Sequence, residues 1–136
     1  MPSPTSTQLT ALIVGSMFFM EQLDGTILAT ALPAIAHSLH VDTVATSVAL
    51  TSYIIGLAIF IPASGALADR LGSRTILMLA ICIFVGSSIF CGTAHSLLFL
   101  AAMRTIQGIG GALMVPVGRL AVIRSTPADQ LVRTMT

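Results

Sequence analysis

Four long apolar segments separated by short polar links dominate the pattern of residues along the chain. They run from about Leu9 to Leu32, Val44 to Leu67, Thr75 to Ala94 and Leu97 to Ile123. A helix needs about 20 apolar residues to cross the hydrocarbon core of a membrane, and each segment reaches that length. The links, at residues 34–43, 68–74 and 95–96, are short, so consecutive helices are expected to run antiparallel. The pattern predicts an all-α integral membrane fold with four transmembrane helices.

The composition strengthens this prediction and excludes other classes of protein. Of 136 residues, 55% are hydrophobic and 8% are charged, and the mean hydropathy is +0.98. A soluble domain carries about 25% charged residues, so the expected surroundings are a lipid bilayer. The net charge of +1 gives no electrostatic footprint for a nucleic-acid partner. His37 and His40 join no acid or cysteine cluster except Asp42, so neither an enzyme nor a metal site is predicted.

The arginines predict the orientation of the helices. Five of them lie either in the second link or at and beyond the end of the fourth segment: Arg70, Arg74, Arg119, Arg124 and Arg133. The first and third links contain no Lys or Arg. Positively charged links stay in the cytoplasm, so both termini are predicted to be cytoplasmic, in a multi-pass protein of the cell (inner) membrane.

Three charged residues lie well inside predicted spans, where each charge costs about 2.5–3.5 kcal/mol at a helix centre. Glu21 and Asp24 are in the first span, and Arg104 is in the fourth. Asp24 precedes Ala34 by ten residues, about 15 Å, and Arg104 follows Leu97 by seven, about 10 Å. These similar depths predict an Asp24–Arg104 pair. Such a pair either couples transport to protons, with Glu21 one turn away on the same face, or locks two helices together.

A stripe of polar and small residues extends from Arg104 along the fourth segment. Gln107, Gly108 and Gly111 follow it at i+3, i+4 and i+7, which is one face of a helix. Glycines let another helix or a substrate approach the backbone, and Gln107 is placed to form a hydrogen bond beside the guanidinium group. We expect this face to pack against a neighbour or line a cavity.

The second link has a pattern that a charged turn alone does not explain. It contains an acid, two arginines and two glycines, namely Gly65, Asp69, Arg70, Gly72 and Arg74. The positive-inside rule accounts for the arginines but not for the acid or the glycine spacing.

Three sequence motifs resemble the major facilitator superfamily, and within it the fourteen-span drug/proton antiporter branch. LDGTILATALP (residues 23–33) resembles the first-helix signature of that branch. GALADRLGSRTIL (residues 65–77) resembles the loop signature of the superfamily, and LAAMRTIQGIGGA (residues 100–112) resembles the fourth-helix signature. The motifs occur in the expected order and on the expected helices, and the resemblance covers essentially the whole chain.

The resemblance implies roles for these residues. Asp24 is implied to be the proton-binding carboxylate, Arg104 its partner in proton coupling, and Gly65, Asp69, Arg70, Gly72 and Arg74 the cytoplasmic gating loop. Glu21 is not part of the signature. Ser73 replaces the first of two basic residues in the loop signature. The implied substrate is a lipophilic or cationic small molecule, with the proton as coupling ion and no other cofactor.

A facilitator has two six-helix halves with the substrate at their interface. Residues 1–136 are therefore expected to be part of an N-terminal domain, as a fragment that does not transport on its own.

Two alternatives remain open from the sequence alone. The first is a complete four-span dimeric exporter of the small multidrug resistance type, in which Glu21 is the shared proton and drug site. Arg104 and the loop at residues 65–77 are not needed by that family. The second is a tetraspan scaffold that transports nothing, in which the buried charges are purely structural.

Overall fold

The structure, a computed structural model, describes residues 4–126. Five helices and the turns between them account for this range, and it contains no strand. The helices are α1 (Pro4–Leu39), α2 (Thr43–Thr46), α3 (Val48–Leu71), α4 (Ser73–Gly92) and α5 (Leu97–Ser125). Four segments are long and apolar enough to cross a membrane: α1, α2 together with α3, α4, and α5. The predicted all-α fold with four spans is confirmed. Arg133, used above to predict the orientation, lies outside the described residues.

The end of α1 differs from the prediction. The first link was expected to begin at Ala34, after Pro33, but the helix continues to Leu39 with Pro33 inside it. A proline removes one backbone donor, and membrane helices tolerate that loss where their surroundings compensate for it. The observed connection is short and leads into the single-turn helix α2, which is capped by Asp42 through a 3.4 Å hydrogen bond from the backbone N–H of Val44.

The last helix, α5, is the centre of the bundle. It packs along α3 and α4 and also contacts α1. Twelve of its residues are buried, against five each in α3 and α4. Thr7 near the start of α1 donates a 2.6 Å hydrogen bond to the carbonyl of Ser125 at the end of α5. Asp24, later in α1, meets Arg104, earlier in α5, so α1 and α5 are antiparallel.

Glycines bring the backbones of α3 and α5 into direct contact. A Cβ atom on Gly108 would collide with the carbonyl oxygen of Tyr53, and one on Gly56 would collide with that of Thr105. Gly110 meets α4 in a similar way, where an added Cβ would lie 3.0 Å from the backbone nitrogen of Phe84. Small residues allow this close approach between membrane helices, and dispersion contacts then hold them together. This packing fixes the rotation of α3 relative to α5.

The outer surface of the bundle is apolar, as expected for helices in contact with lipid. Twenty-two large hydrophobic side chains are exposed among the described residues. Inside the bundle, one hydrophobic cluster forms around Met17, Phe84 and Met114, and a smaller one contains Leu28, Ala49 and Leu100. Four of the polar residues predicted as functional lie between these two clusters along α1 and α5: Glu21, Asp24, Arg104 and Gln107.

Candidate functional site

An ion pair inside the bundle joins α1 to α5. Nη1 of Arg104 lies 2.6 Å from Oδ2 of Asp24. The Arg104 side chain is 2% exposed and the Asp24 side chain 20%, so the pair is largely removed from solvent and lipid. The structure thus brings together the two residues whose depth in the membrane predicted a pair. Their role in proton coupling stays a prediction.

Gln107 completes a triad with this pair. Its Nε2 donates a 2.9 Å hydrogen bond to Oδ1 of Asp24, and its Oε1 accepts a 2.6 Å hydrogen bond from Nη1 of Arg104. Both oxygens of Asp24 therefore have donors, and Arg104 is held from its own helix as well as from α1. The thiol of Cys91, on α4, lies 3.9 Å from the same Gln107 oxygen. Buried ion pairs are stable only where such additional hydrogen bonds satisfy the remaining polar atoms.

Tyr53 on α3 adds a contact that the sequence did not reveal. Its hydroxyl donates a 2.9 Å hydrogen bond to Oε1 of Glu21. Its ring lies 4.6 Å from the guanidinium carbon of Arg104, within the range of a cation–π interaction. Gly111 makes room for this arrangement, since a Cβ there would lie 2.7 Å from the tyrosine hydroxyl and 3.1 Å from Oε1 of Glu21.

These six residues form the polar cluster: Glu21, Asp24, Tyr53, Arg104, Gln107 and Gly111. Five of them were predicted as site residues, and Tyr53 was not. Tyr53 is the single tyrosine of the chain and lies within an apolar segment, which is the one signal the sequence offered. Gly108, the remaining residue of the predicted stripe, packs against α3 instead of entering the cluster.

A groove gives access to Asp24 from between α1 and α4. Its volume is about 300 Å³. Its walls are mainly apolar and include Met20, Leu23, Ile27, Phe84 and Val85 beside Asp24. The groove places one carboxylate at a mainly apolar surface. A proton, or a lipophilic molecule with a charged group, can reach the carboxylate there.

The predicted gating loop lies at the junction of α3 and α4, far from the polar cluster. Gly72 has a φ of +87°, a conformation that favours glycine, and its N–H caps α3 by a 2.9 Å hydrogen bond to the carbonyl of Ala68. Arg70 and Arg74 are exposed and pair with no described acid, while Gly65 has open space around it. Of the two glycines predicted in the loop, only Gly72 therefore has a backbone conformation that calls for glycine.

Arg124 connects this loop to α5. Its Nη2 lies 3.3 Å from Oδ1 of Asp69, and its Nη1 donates a 3.1 Å hydrogen bond to the hydroxyl of Ser73. Ser73 occupies the position where the loop signature has a basic residue, so the guanidinium group beside Asp69 comes from α5. The Arg124 and Asp69 side chains are 55% and 68% exposed, which makes this a surface ion pair. About 30 Å of α5 separates Arg124 from Arg104, at 1.5 Å per residue.

Within residues 4–126, no three His, Cys, Asp or Glu side chains are grouped in a way that could hold a metal ion. The groups that the polar cluster offers are two carboxylates, a guanidinium group, an amide and a phenol. A carboxylate beside an arginine can exchange a proton when the arginine moves, because the pairing and the burial act in opposite directions on its charge.

Comparison with known proteins identifies the family. The family model described as Major Facilitator Superfamily matches residues 14–136. The chain belongs to the Major Facilitator Superfamily. This confirms the family to which the three motifs pointed, and the family is one of transporters rather than of small four-span exporters or enzymes. The match begins in α1 and includes every residue of the polar cluster and of the loop.

Several relatives carry the name "Putative multidrug resistance protein MdtD". The protein from Klebsiella pneumoniae strain 342 is 46% identical over 133 residues, which is 98% of this chain and 28% of the relative. The protein from Cronobacter sakazakii is 48% identical over 91% of this chain and 26% of its own length. One from Escherichia coli O1:K1 is 44% identical over 98% of this chain. The chain thus spans little more than a quarter of these facilitators, and no solved structure matches it.

Proposed function

We propose that this chain forms the first part of the N-terminal domain of a proton-coupled multidrug efflux antiporter. One observation carries the proposal, namely the Asp24–Arg104 ion pair, held at 2.6 Å and with Arg104 only 2% exposed. Ionisable residues within membrane spans are expensive to keep, and they commonly mark ion pathways and proton relays. The name of the relatives, which refers to multidrug resistance, supports the same function.

In the proposed mechanism, a proton that binds Asp24 removes the negative charge facing Arg104. The carboxyl group then accepts less strongly from Arg104 and from Gln107, and the triad loosens. A lipophilic or cationic substrate competes with the proton, for which the apolar groove beside Asp24 provides a surface. The two states favour opposite openings of the cavity, so that drug leaves as protons enter.

The proposed orientation places both termini, the loop at residues 65–74 and the end of α5 in the cytoplasm, in the cell (inner) membrane. The contact of Arg124 with Asp69 and Ser73 supports this orientation, because it brings an arginine of α5 to the same end of the bundle as Arg70 and Arg74. In this position, the loop and Arg124 act together as the cytoplasmic gate.

Residues 1–136 are proposed to be inactive on their own. A facilitator binds its substrate between two halves, and a single partial domain provides only one wall of that site. The polar cluster still forms within this part of the chain, so its structure can be tested without transport.

Uptake of ethidium into proteoliposomes containing the full-length antiporter tests the function. An imposed pH gradient is expected to drive accumulation by the wild-type protein and none by Asp24→Asn. Asp42→Asn is the matched control, since it neutralises an exposed acid that caps α2 and leaves the polar cluster intact. If Asp24→Asn transport stayed fully dependent on the pH gradient, the proposed mechanism would be wrong.

A further inference from the structure

The polar cluster contains more acidic than basic groups. It holds two carboxylates, those of Glu21 and Asp24, and one guanidinium group, that of Arg104. Asp24 accepts hydrogen bonds at both oxygens, from Arg104 and from Gln107. Within residues 4–126, Glu21 accepts a hydrogen bond only from the hydroxyl of Tyr53. The two acids are thus held in different ways although they are one helical turn apart.

Arg104 has unused capacity to bind a second carboxylate. Its Nε and Nη2 atoms are buried and have no hydrogen-bond partner among the described residues. An arginine commonly uses two of its nitrogens to hold a carboxylate. Glu21 is the nearest other acid along α1, and its pairing with these two nitrogens would satisfy them. The structure nevertheless shows Glu21 bound to Tyr53 instead.

Tyr53 separates Glu21 from Arg104. Its hydroxyl holds Glu21 at 2.9 Å, while the face of its ring lies 4.6 Å from the guanidinium carbon of Arg104. The packing of α3 on α5 sets this position, because the backbone of Tyr53 lies directly against Gly108. The missing side chain of Gly111 provides the space for the hydroxyl and for the Glu21 carboxylate.

We propose that Tyr53 is a positioning residue that holds Glu21 apart from Arg104, so that the arginine pairs with Asp24 and Glu21 remains a separate carboxylate. This inference deepens the proposed function, and the role of Tyr53 in transport rests on that function. The cluster then has two acidic positions of different character, one locked in the triad and one held by a single hydroxyl. The titratable groups that act on Glu21 are Tyr53 on α3, which bonds it, and Asp24 one turn away on its own helix. Arg104 on α5 lies against the Tyr53 ring, and Cys91 on α4 lies beside Gln107.

Carbodiimide labelling tests this arrangement without requiring transport. Dicyclohexylcarbodiimide is an apolar reagent that modifies carboxyl groups in apolar surroundings, and tandem mass spectrometry distinguishes Glu21 from Asp24 in one peptide. The 136-residue chain, purified in dodecylmaltoside micelles, is labelled at one neutral pH. Wild-type protein is expected to react faster at Glu21 than at Asp24, because Arg104 and Gln107 hold both oxygens of Asp24.

Tyr53→Phe removes the hydroxyl and keeps the ring over Arg104. Labelling at Glu21 is expected to rise about tenfold, the factor that corresponds to one hydrogen bond to a charged group, with no change at Asp24. Tyr53→Leu also removes the ring, so Glu21 can reach Arg104. Labelling at Glu21 is then expected to fall below that of Tyr53→Phe, while labelling at Asp24 rises because it shares the guanidinium group. Thr51→Val is the matched control on α3, because its exposed hydroxyl donates to the carbonyl of Ser47, the residue that caps this helix, and not to the polar cluster.

Gly111→Ala gives a second route to the same result. Its added methyl group would lie 2.7 Å from the Tyr53 hydroxyl and 3.1 Å from Glu21, so it displaces the hydrogen bond while Tyr53 stays intact. The inference is overturned if Tyr53→Phe leaves labelling at Glu21 within about twofold of wild type, since a lost charged hydrogen bond has a larger effect. Equal acceleration at both acids in Tyr53→Phe and Gly111→Ala also overturns it, because Tyr53 would then support the whole cluster.

Failure of the proposed function gives a different result. If Asp24→Asn leaves ethidium transport dependent on the pH gradient, proton coupling through Asp24 is refuted, whatever the labelling pattern. The labelling rates of Glu21 and Asp24 in the isolated chain still decide whether Tyr53 separates the two acids.

Discussion

Replacing Asp24 with asparagine leaves the guanidinium group of Arg104 without its counterion. Removing one partner of a buried ion pair costs about 3–5 kcal/mol, because the remaining charge is buried without compensation. Here Arg104 is 2% exposed and loses its 2.6 Å contact with Asp24. The Tyr53 ring and the hydrogen bond to Gln107 remain, so we expect a loss at the lower end of that range, about 3 kcal/mol.

The reciprocal substitution, Arg104→Gln, is expected to cost less. A buried carboxyl group can take up a proton and become neutral, whereas arginine stays charged under all physiological conditions. Asp24 also keeps its hydrogen bond from Gln107 and is 20% exposed. The double variant Asp24→Asn, Arg104→Gln contains neither charge and is expected to lie within about 1 kcal/mol of wild type.

Titration with sodium dodecyl sulfate in dodecylmaltoside micelles measures these free energies of unfolding, with the far-ultraviolet circular dichroism of the helices as the signal. The reasoning is refuted if the losses of the two single variants add up in the double variant, because the two side chains would then not interact. It is equally refuted if Arg104→Gln is more destabilising than Asp24→Asn. In transport assays, a double variant that regains stability but not drug efflux separates proton coupling from a purely structural pair.

Three further predictions concern packing and the loop. Gly108→Val places side-chain atoms against the carbonyl of Tyr53, so it should destabilise the bundle by at least the 1–3 kcal/mol typical of overpacking, whereas Gly86→Val, with open space around it, should be tolerated in thermal unfolding. Arg124→Gln should change the free energy of unfolding by less than about 1 kcal/mol, because its ion pair is exposed; a larger loss would mean that the loop is structurally essential. Met114→Ala should cost about 2–5 kcal/mol in the detergent titration, since Met114 is fully buried in the larger cluster, and an unchanged titration midpoint would contradict the packing described here.

The main contact of the polar cluster could be predicted from the sequence because helix geometry is regular. A constant rise of about 1.5 Å per residue converts positions in two antiparallel helices into depths, and Asp24 and Arg104 came out at similar values. The i, i+3 spacing also placed Gln107 beside the arginine, and the structure shows it bound to both charged groups. These contacts depend on distance along the helix axis and on the face of one helix.

The contacts of Tyr53 and Arg124 depend on how two helices pack against each other, which the sequence of one helix does not determine. Tyr53 points toward α5 because α3 and α5 pack closely at Gly56 and Gly108, two glycines on different helices. Arg124 reaches Asp69 only because α3 and α5 end at the same side of the bundle. The continuation of α1 past Pro33 was missed because a proline ends most helices in water, whereas a membrane favours any continued backbone hydrogen bonding.

The order in which the chain is synthesised gives the central position of α5 a further consequence. Asp24 and Arg104 are 80 residues apart, so the ribosome delivers α1, with its two acids, long before the cation that pairs with one of them. During that interval α1, α3 and α4 lack the helix on which they all pack. Nascent chains that have not yet reached residue 104 therefore expose uncompensated acids and unpaired glycine surfaces to the insertion machinery. The arrival of α5 is the step at which Asp24 gains its partner and the glycine surface of α3 is covered.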